Sequence, residues 1–353
     1  MNQQLTLASL AWQSKGKTTR RERFLAEMDA VIPWADLVAV IEPHYPKAGN
    51  GTQPYPVERM LRIYFLQQWF NLSDPAAEDA IYDSESMRRF ARVELGDDRV
   101  PDETTILRFR HLLEAHQLTE GLFIEITGQL ESKGLLLKSG TIVDATIIAA
   151  PSSTKNATET RVPEMHQTKQ GNQWHFGMKV HAGMDPKGIV HTVTVTAANV
   201  ADITELPNLL HGDERTLWGD AAYAKEENRR RWRAEGKRYL VNQRGTKTRP
   251  LSDYQRRVNR SRSRTRALGE HLFRVVKCQW GFTKVRYRGL EKNLARVYTL
   301  FGLANLYQLR RKLLPKGFQP GARVTTGLRR SVMGRCERST RLREVRPRHR
   351  PRV

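Results

Sequence analysis

Residues 140–151 read Gly140-Thr141-Ile142-Val143-Asp144-Ala145-Thr146-Ile147-Ile148-Ala149-Ala150-Pro151. Thr141, Ile142, Val143, Thr146, Ile147 and Ile148 are β-branched, and Gly140 and Pro151 bound the run, which is the profile of a buried strand. Asp144 sits at its centre. An isolated ionised carboxylate there faces a large desolvation cost, so a partner must compensate it, either a Lys or Arg side chain or a bound cation.

Working downstream, residues 174–182 alternate, with Trp174, Phe176, Met178 and Val180 on one face and His175, Gly177, Lys179 and His181 on the other. Asp185-Pro186-Lys187-Gly188 is turn chemistry, and 189–196 resumes as a strand, completing a hairpin. Asn199 is placed to cap a helix through Leu206 and Leu210. Short strands are predicted at 216–219 and 238–241, with helices at 226–233, 254–276 and 290–314. Hairpin strands followed by alternating helix and strand describe a mixed α/β sheet with flanking helices.

Upstream, residues 1–135 read as all helical. Met60, Leu61, Tyr64, Phe65 and Trp69 form one stripe in a helix over 56–70, and Asn71-Leu72-Ser73-Asp74-Pro75 stops it and starts another. Ser84, Ser86 and Asp102 are placed to cap further helices through Arg92 and His116. Short connections between such helices suit a helix-turn-helix, but the same pattern occurs in bundles that never touch DNA.

The chain has 353 residues, 39% of them hydrophobic, and a formal charge of +23. That charge suits nucleic acid or another anionic surface. It is concentrated: residues 225–266 hold 16 Lys or Arg and 4 acids, and 316–353 hold 12 and 2. Gly, Pro, Ser, Thr and Arg dominate after Lys316, which predicts a basic disordered tail. Two cysteines, Cys278 and Cys336, exclude a disulfide framework, and Cys278 is expected in a core. No apolar run is long enough to span a membrane and no export signal opens the chain, so a soluble cytoplasmic protein is expected.

Asp220, in Leu217-Trp218-Gly219-Asp220-Ala221-Ala222-Tyr223, lies just past a predicted strand, where α/β sheets place ligand-binding groups. Trp218 and Tyr223 beside it are expected in the core. Paired carboxylates on neighbouring strands suit a hard cation such as Mg²⁺. On the helix over 254–276, Arg266, Glu270, Arg274 and Lys277 share one stripe, with Leu268, Leu272, Val275 and Val276 opposite. One acid among three cations reads either as an ion-paired surface or as a metal-binding Glu flanked by phosphate-binding cations. His175, His181 and His191 lack an acid or Cys at ligand spacing, and are expected to be structural or to contact DNA.

Val143-Asp144-Ala145-Thr146, the 174–181 strand, Thr196-Ala197-Ala198-Asn199-Val200-Ala201-Asp202 and Gly219-Asp220-Ala221-Ala222-Tyr223 together resemble a bacterial insertion-sequence transposase of the group numbered five. That group belongs to the DDE transposases on a ribonuclease H-like fold. Its signature of Tyr, Arg, Glu and Lys is met at Arg266, Glu270 and Lys277, with Ser263 at the Tyr position. The resemblance covers roughly residues 40–314.

It implies a ribonuclease H-like catalytic domain at 136–315, after a helical DNA-end-binding and dimerisation domain at 1–135 and before the tail at 316–353. It implies that Asp144, Asp220 and Glu270 bind two Mg²⁺ ions, for which Mn²⁺ can substitute, and that Arg266, Arg274 and Lys277 contact DNA. The expected activity is cutting of the element's ends and joining to target DNA. Its partners are double-stranded DNA, as terminal inverted repeats and as target, and a second subunit on that DNA, with no membrane and a location at the nucleoid. A non-joining nuclease of the same fold, or an inactive DNA-binding copy, would leave the same motifs.

Overall fold

The computed structural model describes residues 16–51, 53–96, 98–152, 161–246 and 248–319. Seven α-helices precede the first described strand: α1 (Arg20–Val31), α2 (Trp34–Ile41), α3 (Val57–Phe70), α4 (Asp74–Asp83), α5 (Glu85–Phe90), α6 (Glu103–Ala115) and α7 (Leu118–Ser132). Helix α3 is buried on every side from Met60 to Trp69. That places Arg62 in the core. Its charge is met by Asp29 at 2.7 Å and Glu58 at 2.8 Å, and its guanidinium lies 3.9 Å from the Trp34 ring centre. Asn71 ends α3 in the left-handed region (φ 52°), and the Ser73 hydroxyl caps α4 by accepting from the Ala76 N–H.

Six strands form one sheet: β1 (Thr141–Ala149), β2 (His166–Gln170), β3 (Gln173–Met184), β4 (Val190–Ala197), β5 (Thr216–Gly219) and β6 (Arg238–Val241). Their order is β2-β3-β1-β5-β6, with β4 also paired to β3. β1 runs antiparallel to β3 from Ile142 opposite Met184 to Ala149 opposite Gly177, and parallel to β5 only at Thr141 and Ile142. Three helices accompany the sheet: α8 (Glu226–Ala234), α9 (Asp253–Arg274) and α10 (Leu290–Leu313).

The two faces of β1 enter different cores. Ile142 joins a large one running from Leu25 on α1 to Leu309 on α10, so the helical region and the sheet bury apolar surface together. Val143 joins a smaller one with Leu217, Tyr223, Trp232, Tyr239 and Val241. Helix α10 also closes an edge of the sheet: the Asn305 side chain accepts from the Val190 N–H at 2.9 Å and donates to its carbonyl at 2.7 Å.

Several local expectations need correction. Strand β2 is not legible in the sequence pattern, because His166-Gln167-Thr168-Lys169-Gln170 has no apolar periodicity and is held by backbone pairing to β3. The segment after Asn199 is 3₁₀ turns over Asp202–Leu209, not an α-helix, and Pro207 within it lacks the N–H an α-helix would use. Ser86 lies inside α5 rather than capping it, and the Ser84 hydroxyl before α5 bonds the Ser86 hydroxyl at 3.1 Å instead of accepting from a helix N–H. Asp102 does cap α6, accepting from the Thr105 N–H at 2.8 Å. Helix α9 gives way after Arg274 to a π turn, Val275–Gln279, and Leu268 on it is exposed while Leu272, Val275 and Val276 are buried. Cys278, in that turn, is exposed rather than in the core. The expected disordered tail lies, from residue 320 on, outside the described residues.

Candidate active site

Asp144 and Asp220 stand in register. Ile142 pairs with Trp218 at the last parallel contact of β1 and β5; Asp144 lies two residues further along β1, and Asp220 lies two residues beyond Trp218, in extended backbone just past the end of β5. Side chains two apart on a strand share a face, so the aspartates occupy equivalent positions where the strands part. This is also the carboxyl end of β5, the usual ligand-binding end of an α/β sheet.

Asp144 is mostly buried, its side chain 13% exposed. Burial pushes its carboxyl up to about 6; the Arg266 guanidinium and a bond from the Ala145 N–H (3.0 Å) pull it down, and the charges of Asp220 and Glu270 push it up again. The carboxylates therefore repel one another through space. Asp220 spends one oxygen as a cap, accepting from the Ala222 N–H at 2.9 Å. Tyr223 packs in the smaller core, fully buried, with its phenol pushed up by that burial and then by Asp202, Asp144 and Asp220. Trp218 is half-buried.

Helix α9 brings the third carboxylate. Arg266 reaches across to Asp144 Oδ2 at 3.4 Å and back to Glu270 Oε1 at 3.2 Å, one guanidinium between two acids. Glu270 is 57% exposed. The helix is held against the sheet by Gly269, where an added Cβ would meet Met184 Cε at 2.6 Å. Further ties run from its first half to the end of β6: Arg262 donates to the Val241 carbonyl at 2.6 Å, Asn259 pairs with the Gln243 backbone, and Asn242 donates to Ser263 Oγ at 3.0 Å. Ser263, at the position where the resemblance expects Tyr, thus helps anchor α9.

Lys277, in the π turn, is half-buried, and desolvation lowers its pKa. It donates to Thr146 Oγ1 and to the Ile147 carbonyl, both at 2.9 Å. Arg274 is exposed on the α9 surface. Sequence reasoning missed the acceptors on β1, and also the pair of Lys179 with Asp202, 2.9 Å apart, because both depend on which strands become neighbours. The three histidines differ: His175 is half-buried, buried His181 bonds Thr196 Oγ1 at 2.8 Å, and His191 bonds Thr141 Oγ1 at 3.1 Å.

An all-carboxylate donor set with mutual repulsion suits a hard divalent cation. Among the described residues, no three His, Cys, Asp or Glu side chains are already close enough to share one ion. Arg266 stands between the Asp144 and Glu270 carboxylates instead. No described helix is long and apolar enough to cross a membrane.

Residues 136–306 match the family described as Transposase DDE domain, and residues 13–112 match Transposase domain (DUF772). No solved structure matches the chain significantly. The first match ties the sheet and its helices to the ribonuclease H-like fold of polynucleotidyl transferases that generally use divalent metal ions and act on DNA. With both matches in chain order over most of its length, the protein belongs to the insertion-sequence transposases that carry a DDE domain.

Proposed function

We propose that this transposase cuts the ends of an insertion sequence and joins them to target DNA, with Asp144, Asp220 and Glu270 as its metal-holding carboxylates. The observation that carries the reading is the register of Asp144 and Asp220 at the point where β1 and β5 part, with Glu270 delivered beside them by α9. The three side chains would hold two Mg²⁺ ions, replaceable by Mn²⁺. When bound, such ions activate the attacking oxygen and shield the leaving one. Arg266 would release the carboxylates and turn to a phosphate, while Lys277 and Arg274 would fix the DNA backbone. We further propose membership in group five, a helical DNA-end-binding and dimerisation part at 1–135, a catalytic part at 136–315, and a homodimer assembled on the inverted repeats.

The test is Asp144→Asn. It is expected to abolish Mg²⁺-dependent cutting and joining while binding to inverted-repeat DNA persists; a variant that still cuts would remove Asp144 from the chemistry. A pre-cut end with a free 3′-hydroxyl, offered with a target plasmid, separates joining from simple hydrolysis.

One observation favours a second reading, an inactive copy that only binds DNA: the carboxylates of Asp144 and Glu270 are already matched by Arg266. Failure of both Mg²⁺ and Mn²⁺ to raise the melting temperature would support it.

A further inference from the structure

A cavity of about 400 Å³ opens where the turn between α6 and α7 meets the start of α10. Its apolar lining comes from Ala115 at the end of α6 and from Leu294, Ala295 and the half-buried Tyr298 ring on α10. The Tyr298 hydroxyl reaches across to α7 and donates to Glu120 Oε1 at 3.1 Å. The volume falls in the range of about 300–1,000 Å³ usual for small-ligand sites. No residue of the candidate active site lines it, so its role does not depend on the catalytic assignment.

In a chain of charge +23, this hollow is lined by three carboxylates. Glu114 is matched by Arg110 at 2.9 Å. Glu120 meets the neutral Tyr298 phenol, and no ion pair to Glu120 or to exposed Glu291 is found among the described residues. Both acids lie in the first turn of their helices, where backbone N–H groups favour an anion but supply no full charge. Lys292 brings the lining its single ammonium, so one carboxylate is left over. A concave surface with surplus negative charge focuses its field on a cation.

A second observation is independent of charge. Thr119 lines the cavity, is only 2% exposed, and its hydroxyl has no hydrogen-bond partner among the described residues. Buried hydroxyls are normally bonded, so this one calls for a polar group from outside the chain.

We propose that this cavity binds a small organic cation, an ammonium on a short apolar chain, with the charge held by Glu120, Glu291 and the Thr119 hydroxyl and the chain lying on Leu294, Ala295 and the Tyr298 ring. The ligand would bridge α7 and α10, which already meet through the bond between Tyr298 and Glu120. Its neutral and anionic isosteres lack the group that the carboxylates select.

The full-length protein, with its histidine rings isotope-labelled, is titrated by NMR at constant pH and salt with pentylamine, pentanol and pentanoate, which share a chain length and differ in charge. Pentylamine is expected to saturate, to bind about tenfold tighter than either isostere, and to shift the ring signals of His111, which lines the cavity, while those of buried His181 stay in place. Glu120→Gln, which removes the charge but keeps the shape, and Ala115→Phe, which fills the cavity from an exposed position, are each expected to weaken binding about tenfold with unchanged melting temperature. Should either fail to fold, Glu291→Gln, at an exposed residue, replaces it with the same expected direction. Equal affinity for pentylamine and pentanol, no saturable binding, or wild-type affinity in the folded variants would overturn the proposal. Tighter binding of a lysine tripeptide blocked at both ends than of pentylamine would make the occupant a protein side chain and overturn the small-molecule assignment.

Discussion

The guanidinium of Arg266 bridges Asp144 at 3.4 Å and Glu270 at 3.2 Å, joining a central strand to helix α9 through one positive charge. Removing that charge leaves the buried Asp144 carboxylate without its cation. Arg266→Gln is expected to destabilise the protein by about 1–3 kcal/mol. If a divalent ion takes over the neutralising role, adding Mg²⁺ narrows the difference in melting temperature from wild type. Thermal unfolding with EDTA and with Mg²⁺ checks this, and an unchanged or wider gap would count against a metal between these carboxylates.

Metal binding to the native state alone raises its stability, by about 2.7 kcal/mol when the ion is at 100 times its dissociation constant. Mg²⁺ is therefore expected to raise the wild-type melting temperature in a concentration-dependent way. In Asp144→Asn most of that increase should vanish. Equal shifts in the two proteins would place the ion elsewhere.

Gly188, in the turn between β3 and β4, has φ +81°, and an added Cβ would lie 2.5 Å from the Leu268 carbonyl of α9. The turn is thus pressed against the helix two residues before Glu270. Gly188→Ala combines left-handed strain of about 1–3 kcal/mol with displacement of α9. Gly236, with φ +68° and open space around it, supplies the control for strain alone. Denaturant unfolding should show Gly188→Ala losing more stability than Gly236→Ala, and DNA cutting should fall only in the former; equal losses would deny the turn a part in placing α9.

His191 bonds Thr141 and Thr192 beside the His211 ring, and burial, then the charge of His211, pushes its imidazole down to about 4. The folded state keeps it neutral, whereas the unfolded chain takes up a proton below about 6.5. Wild type therefore loses stability through this group as pH falls from about 6.5 to about 4, by an amount on the order of 3 kcal/mol at the acid end. His191→Gln removes that dependence. Melting temperatures of the two proteins should converge with acidification across this window, and a constant difference would contradict the assignment.

The local chemistry of the chain carried a good deal by itself. The β-branched run around Asp144, the turn Asp185-Pro186-Lys187-Gly188 and the short strands ending at Gly219 and Val241 are legible because side-chain branching and turn residues act on their own backbone. The helical stripe that groups Arg266 with Glu270 follows from helix period alone. Tertiary structure decided the rest, because those features depend on partners distant in sequence. Polar β2 exists only through pairing with β3, and Pro207 reduced an expected helix to 3₁₀ turns. Cys278 lies exposed in a π turn, and Lys277 found its acceptors on β1 across an edge that β5 leaves uncovered. The sharing of one guanidinium by Asp144 and Glu270 belongs to the same class: a charge buried by folding takes whichever counter-charge the packing brings within reach, and the order of residues along the chain does not encode that distance.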